Sequence, residues 1–395
     1  MSLVHLAVAL TAASLTLYST MMLLFARGML SRRRSPAKPV DRAPRVTILK
    51  PLAGKDDDLE ANLESFARID YPSFEILLGV ASADDPAYAV ARRFVARHSR
   101  LAARVVLTDR DAAVNPKVAQ LVGLEREATG EVYVISDSNV RVKPGYLWAL
   151  VAELADERVG MVSSLFAGTG ERTLGAALEN LQLCCHAAPG LVATDAVSRR
   201  PLTVGKSMAI RRRDLARLGG FLPVGDVLAE DHMLGRRFLD AGFLARTSLD
   251  AVENRNVGCS VARTLERHTR WSKMRRALSP LAFALEPIMT PVVMASVGVV
   301  LAPGKLTFAI LAGTCVAQTT AALAAVRVLR GDWLPWRYLP LEVVRSYVGL
   351  FCWARACASR RIEWRGHTFT MTRGTRIVPV EGDGERPSAR ARLAA

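Results

Sequence analysis

VYVISDSNV, residues 132–140, is a run of buried-type residues that ends on Asp137-Ser138-Asn139. A hydrophobic strand finishing on an acid invites a charged ligand at its tip. The flanking chain says what kind of sheet that strand belongs to. RVTILKPL (45–52), FEILLGVAS (74–82) and ARVVLTD (103–109) are further strands. LEANLESFARI (59–69), AYAVARRFVARH (87–98) and NPKVAQLVGLEREA (115–128) are helices between them, the last with Asn115 as N-cap and Pro116 in its first turn. Apolar strands alternating with helices predict an α/β fold with a mostly parallel sheet covered on both faces. Ligands of such sheets bind beyond the carboxyl ends of the strands. The strand at 74–82 runs out at Asp84-Asp85 and the strand at 132–138 at Asp137-Ser138-Asn139, so two acidic tips are expected at one crevice. No Gly-x-Gly-x-x-Gly follows the first strand, which argues against a dinucleotide site.

A carboxylate beside an amide suits a hard divalent cation, Mg²⁺ or Mn²⁺, which keeps waters and takes substrate phosphate oxygens. Asp-Ser-Asn is equally ordinary turn chemistry at a strand end. Downstream, GDVLAEDHMLGRRFLDAG (225–242) places Glu230 and Asp231 at a helix start. Acids there complement the helix dipole, and Asp231 is also a candidate general base. In ARTLERHTRWSKMRR (262–276), Arg267 and Arg270 are i,i+3 neighbours able to grip a diphosphate; the alternative is a basic helix lying on anionic lipid. His186 of CCHAAPG is a lone histidine, by itself a packed or capping residue.

Of 395 residues, 50% are hydrophobic and 23% charged, so the apolar residues must cluster. Residues 3–25 carry no Asp, Glu, Lys or Arg and match one bilayer crossing. ARGMLSRRRSPAKP follows instead of preceding that run, which argues against a signal peptide and places this side in the cytoplasm. PVVMASVGVVLAP (291–303) and LTFAILAGTCVAQTTAALAAV (306–326) read as a membrane hairpin with basic outer ends. Residues 338–357 contain Glu342 and Arg345 and read as an interfacial or re-entrant helix. The net charge of +16 suggests nucleic acid at first sight; with membrane segments present, an anionic membrane surface is the better partner, and no nucleic acid is expected. Six cysteines without paired metal spacing fit a reduced compartment.

In order and spacing, LKPLAGKDDDLEANLESFARIDYPSFEILLGV, DDP, NPK, DSN, the histidine of CCHAAPG, GKSMAIRRRDL, AEDHMLG and RHTRW together resemble the ceramide glucosyltransferase family, over residues 45–290. The resemblance implies a Rossmann-like GT-A domain at 45–280 on the cytoplasmic side of the inner (cell) membrane. The residues themselves predict its flanks: an N-terminal transmembrane helix (1–27), a basic linker (28–44), membrane or interfacial helices (281–360) and a basic tail (361–395) whose polar end, 381–395, is expected to be disordered. The resemblance also implies roles. Asp84 and Asp85 contact the nucleoside and Lys117 the nucleotide. Asp137, with Asn139, binds the metal, and Asp231 is the base. Arg267, Arg270 and Trp271 close over diphosphate and acceptor, and His186 lies near the acceptor path. The implied reaction moves a sugar, glucose first, from a UDP-sugar to a membrane lipid with inversion. Ceramide is the first acceptor; a hopanoid polyol or diacylglycerol is the alternative. A processive polysaccharide synthase would favour Gln where this chain has Arg267 and would need more spans. A non-catalytic membrane scaffold would have no need of all these residues together. Asn139 stands where many metal-dependent relatives carry a second acid, leaving Asp137 most of the metal's charge.

Overall fold

In a computed structural model, which describes residues 2–34, 42–54, 57–198, 202–364 and 367–380, the chain divides into two compact units. Linker residues 35–41 and the expected disordered tail, 381–395, lie outside the described residues.

One unit, residues 35–166, 198–255 and 361–395, carries the sheet. Its strands are β1 (Val46–Leu52), β2 (Phe74–Val80), β3 (Ala103–Leu107), β4 (Val132–Ser136), β5 (Val140–Arg141), β6 (Val159–Thr169), β7 (Ser207–Arg211) and β8 (Leu244–Arg255), with β6 running on into the other unit at its end. Their order is β3-β2-β1-β4-β7-β6-β8-β5. The predicted parallel sheet is the block β3-β2-β1-β4, with Ile48 opposite Ile76 on one side and Val134 on the other. Beyond it β7 runs antiparallel to both β4 and β6, and β5 antiparallel to β8. Every residue of β1 and β4 is buried, as strands covered on both faces require. Leu49, Leu77 and Ile135 from the sheet join Val118, Leu121 and Leu124 of the helix Pro116–Glu127, and Phe221 and Phe238, in one core. Asn115 caps that helix as expected, its Oδ1 accepting from the N–H groups of Lys117 and Val118. A second antiparallel sheet, β9 (Arg361–Trp364), β10 (His367–Met371) and β11 (Ile377–Pro379), closes this unit.

The other unit, residues 1–34, 167–197 and 256–360, is helical. Among the described residues two helices are long and apolar enough to cross a membrane, Leu3–Ser31 and Lys305–Arg330. The expected hairpin at 291–303 and 306–326 is matched in part by these spans. Its first arm, Pro291–Leu301, has 11 residues. At 1.5 Å per residue that is about half of a ~30 Å hydrocarbon core. Together with Pro280–Met289, across a 73° bend between Met289 and Pro291, it is long and apolar enough for a third span. The helix Leu341–Ala358 turns Glu342 and Arg345 inward. Arg345 grips Glu342 through Nε at 2.8 Å and Nη2 at 2.5 Å and reaches Gln182, while Gln318 of Lys305–Arg330 donates to Glu342 at 3.1 Å. These two charges are thus satisfied inside the helical unit.

Candidate active site

The sheet unit gathers its charged residues at the end of β4. Three ammonium groups meet at Asp137. Lys117, on the first turn of its helix, lies 2.8 Å from Asp137 Oδ1 and also 2.8 Å from Glu230 Oε1. Lys206 lies 3.4 Å from Asp137 Oδ2. Lys50, in the middle of β1 and 0% exposed, donates to the Asp137 carbonyl at 2.7 Å and to Ser136 Oγ at 3.3 Å, with its ammonium 4.0 Å over the Phe66 ring. Burial alone would push the Asp137 carboxyl up, but Lys117, Lys206 and Lys50 outweigh it and hold the group below its ordinary range. Burial would strip Lys117 of its proton; Asp137, Glu230 and Asp231 keep it charged, well above the usual lysine value. Glu230 moves the other way. Burial first, and then the neighbouring Asp231 and Asp137, raise it against the pull of Lys117. Two carboxylates on one ammonium therefore differ in proton affinity, a pattern shared with catalytic acid pairs.

Asp231 is aimed by the backbone. Its Oδ2 accepts from the Gly205 N–H at 2.5 Å and its Oδ1 from the His232 N–H at 2.7 Å, while Thr203 Oγ1 donates to its carbonyl at 3.0 Å. Gly205 is needed for that approach: a Cβ there would sit 2.8 Å from Asp231 Oδ2 and 2.9 Å from Asp231 Cβ. The loop ahead of Glu230 is braced from two sides. Asn115 Nδ2 donates to the Val227 carbonyl at 2.6 Å. From the small sheet's side, Thr375 accepts the N–H groups of Leu228 on its carbonyl at 2.9 Å and of Ala229 on its Oγ1 at 3.3 Å. Thr375 is fully buried and holds φ at 60°, a left-handed conformation that costs a threonine energy.

The structure thus brings Lys117, Asp137 and Asp231 together. Asp85, at the tip of β2, spends one carboxylate oxygen on the N–H groups of Gly54 and Ala87, both at 2.9 Å, tying the loop after β1 to a helix start. Asp84 beside it is exposed. Asn139 directs its Nδ2 to the Arg255 carbonyl, 3.5 Å away. Among the described residues no group of three His, Cys, Asp or Glu forms a ready metal cage. Asp137 and Glu230 nevertheless converge on one cation, and a hard divalent ion needs only one or two carboxylates plus substrate phosphates. The donor set fits such an ion.

In the helical unit, Arg267 is committed to Glu179, a fully buried carboxylate, and to Asn256 Oδ1 at 3.3 Å. Arg270 and Trp271 are half-buried on the same helix, Val261–Leu278, with Trp271 edge-on to His268 at 5.0 Å between centroids. His186 sits in a π-helical turn, Leu183–Ala187. Burial, then the charges of Arg345 and Arg275, press its pKa down to about 3, so it is neutral at physiological pH.

Three members of the sheet unit's cluster have no role in the sequence reading: Lys50, Gly205 and Lys206. Lys50 leaves a signal, a lysine in the middle of the apolar strand VTILKPL, where burial demands partners. Gly205 and Lys206 gain meaning only through the pairing of β7 with β4, which sets Ser207 opposite Ser136 and hydrogen-bonds the Asp137 N–H to the Lys206 carbonyl at 3.1 Å. Gly205→Ala is expected to displace the Asp231 carboxylate. Misplacement of that size costs turnover about 10²-fold. Steady-state kinetics should show the loss in kcat with affinity for the expected UDP-sugar donor retained, and an unchanged kcat would remove Asp231 from the reacting centre.

The sequence matches the profile of glycosyl transferase family 21 over residues 5–377. Ceramide glucosyltransferase 1 of Caenorhabditis elegans is 24% identical over 369 residues, 91% of this chain and 78% of that protein. A ceramide glucosyltransferase of Gibberella zeae is 31% identical over 143 residues, 32% of this chain and 27% of that one. In fold, the chain is similar to a mannosyltransferase from Pyrobaculum calidifontis solved with GDP-Man and Mn²⁺, with a TM-score of 0.51 and 22% identity over 88% of this chain and 98% of that one. With its profile match over nearly the whole length and its sheet in the GT-A arrangement, the chain belongs to glycosyl transferase family 21 and is a hexosyltransferase.

Proposed function

We propose that this enzyme transfers glucose from UDP-glucose to the primary hydroxyl of ceramide at the cytoplasmic face of the cell membrane, with inversion at the anomeric carbon. The observation that carries the reading is Lys117 bridging Asp137 and Glu230 beside an Asp231 aimed by two backbone N–H groups. Asp231 takes the proton of the acceptor hydroxyl as that oxygen bonds to the sugar C1. The bond from C1 to the β-phosphate oxygen breaks on the opposite face, and UDP leaves with the electron pair. Two N–H donors keep the carboxylate pointed through the transfer. Lys117 stays protonated between its acids and faces the charge that grows on the departing diphosphate. Asp137 and Glu230 would hold a divalent ion, Mg²⁺ or Mn²⁺, which supplies Lewis-acid stabilisation of the leaving group when bound.

Asp84 and Asp85 serve the nucleoside in this reading. Arg270 and Trp271 serve the diphosphate and the acceptor, and Arg267, held by Glu179, orients their helix. A neutral His186 is suited to a hydrogen bond with a lipid hydroxyl. Basic residues following the span Leu3–Ser31 support the cytoplasmic placement of the sheet unit and its contact with anionic lipid.

The test offers detergent-solubilised enzyme a set of UDP-sugars against ceramide, diacylglycerol and a hopanoid polyol, with Mn²⁺, and reads lipid products by mass spectrometry. Monohexosyl ceramide from UDP-glucose is the expected product. Product only on another lipid overturns the acceptor, and UDP binding without any lipid product overturns the lipid reading.

A further inference from the structure

The three lysines at Asp137 are not equivalent. Lys50 is fully buried and closed in by a carbonyl, a hydroxyl and an aromatic face. Lys117 makes two contacts of 2.8 Å to two carboxylates. Lys206 makes the longest of the polar contacts, 3.4 Å, and Asp137 is its ion-pair partner among the described residues. Its backbone, by contrast, is fixed. The Lys206 carbonyl accepts the Asp137 N–H at 3.1 Å, the preceding Gly205 N–H binds Asp231, and the following Ser207 Oγ lies 2.5 Å from the Tyr146 hydroxyl. A loosely held ammonium on a four-carbon stem that starts from a fixed point can re-aim without moving the main chain.

The charges of the cluster also matter. Lys50, Lys117 and Lys206 face Asp137, Glu230 and Asp231, so the acids of the site are matched one for one by lysines. A diphosphate arriving there brings negative charge that a cation must meet. Position 139 is an amide, so the site offers a divalent ion fewer charged ligands than two acids at 137 and 139 would. Resting on the UDP-sugar reading above, we propose that Lys206 is a diphosphate-binding residue that turns from Asp137 to the β-phosphate, and that with Lys117 it lets this enzyme hold UDP without a divalent ion. Lysine serves such sites as a point charge, needing no fork geometry.

The experiment is calorimetric titration of the full chain in detergent with UDP, in excess EDTA and again with Mn²⁺, for wild type, Lys206→Met and Lys206→Arg. Wild type is expected to bind in EDTA. Lys206→Met should lose about 10- to 100-fold in affinity there, the worth of a charge-assisted hydrogen bond, and less with Mn²⁺. Lys206→Arg should retain most of the affinity and also serves as the test should the Met variant fail to fold, which its thermal melt would show. Binding with Mn²⁺ but none in EDTA overturns the inference and leaves the UDP reading standing. Equal affinity of wild type and Lys206→Met in EDTA does the same. No UDP binding even with Mn²⁺ overturns both.

Discussion

Asp231→Asn is expected to leave the protein folded and to lower turnover by about 10²–10⁴-fold, the range for loss of a general base. The fold should survive because asparagine keeps the oxygen that accepts from Gly205 or His232 and nearly the same volume. The Thr203 hydroxyl binds the residue-231 carbonyl, which the change leaves in place. UDP affinity should stay near that of wild type, since the neighbouring Lys117, Asp137 and Glu230 are untouched. The measurement pairs initial rates of lipid glycosylation with UDP titration on the same preparation. A variant that turns over at a near-normal rate would remove the base from the mechanism. One that loses UDP binding together with turnover would make Asp231 a donor-site residue.

Asp137→Asn should cost both turnover and metal-assisted UDP binding, and part of the fold's stability as well. Among the described residues, removing this carboxylate takes away the ion-pair partner of Lys206 and leaves Lys117 its ion pair with Glu230, while Lys50 keeps the main-chain carbonyl. Unpairing a fully buried charge costs about 3–5 kcal/mol; the partial exposure of these groups puts the expected loss below that range. The pH dependence has a definite sign. The Asp137 carboxyl is depressed by its lysines despite burial, so its contribution to stability is present above its unfolded value of about 4. It fades as pH falls through the lower folded value. The gap in melting temperature between wild type and Asp137→Asn should therefore be widest near neutrality and close in acid. A gap that does not change with pH would mean the carboxylate is not ion-paired in the folded protein.

β1, β2 and β4 were legible because a buried strand writes itself as an apolar run. The cap at Asn115-Pro116 and the acids at 230–231 are equally local signals. Illegible were the contacts made by long-range pairing. Nothing in GKSMAIRRRDL says that β7 lies antiparallel beside β4, and only that pairing sets Gly205 at Asp231 and Lys206 at Asp137. Arg267 makes the same point. Its i,i+3 spacing to Arg270 suggested two guanidinium groups serving one ligand, yet its partner is Glu179, 88 residues away in sequence. Hydropathy averages concealed the short first arm of the hairpin at 291–326, because the helix before it stops at Met289 and a new one starts at Pro291.

In the proposed mechanism a hexose passes from UDP to a lipid hydroxyl in a single displacement with Asp231 as base. The most direct test of this mechanism is proton NMR of the purified glycolipid made from UDP-glucose and ceramide by the wild-type enzyme. A β-linked monoglucosyl ceramide, formed from the α-linked donor in one inversion, is the expected product. An α-linked product, or glucose recovered only as the free sugar, would contradict the mechanism.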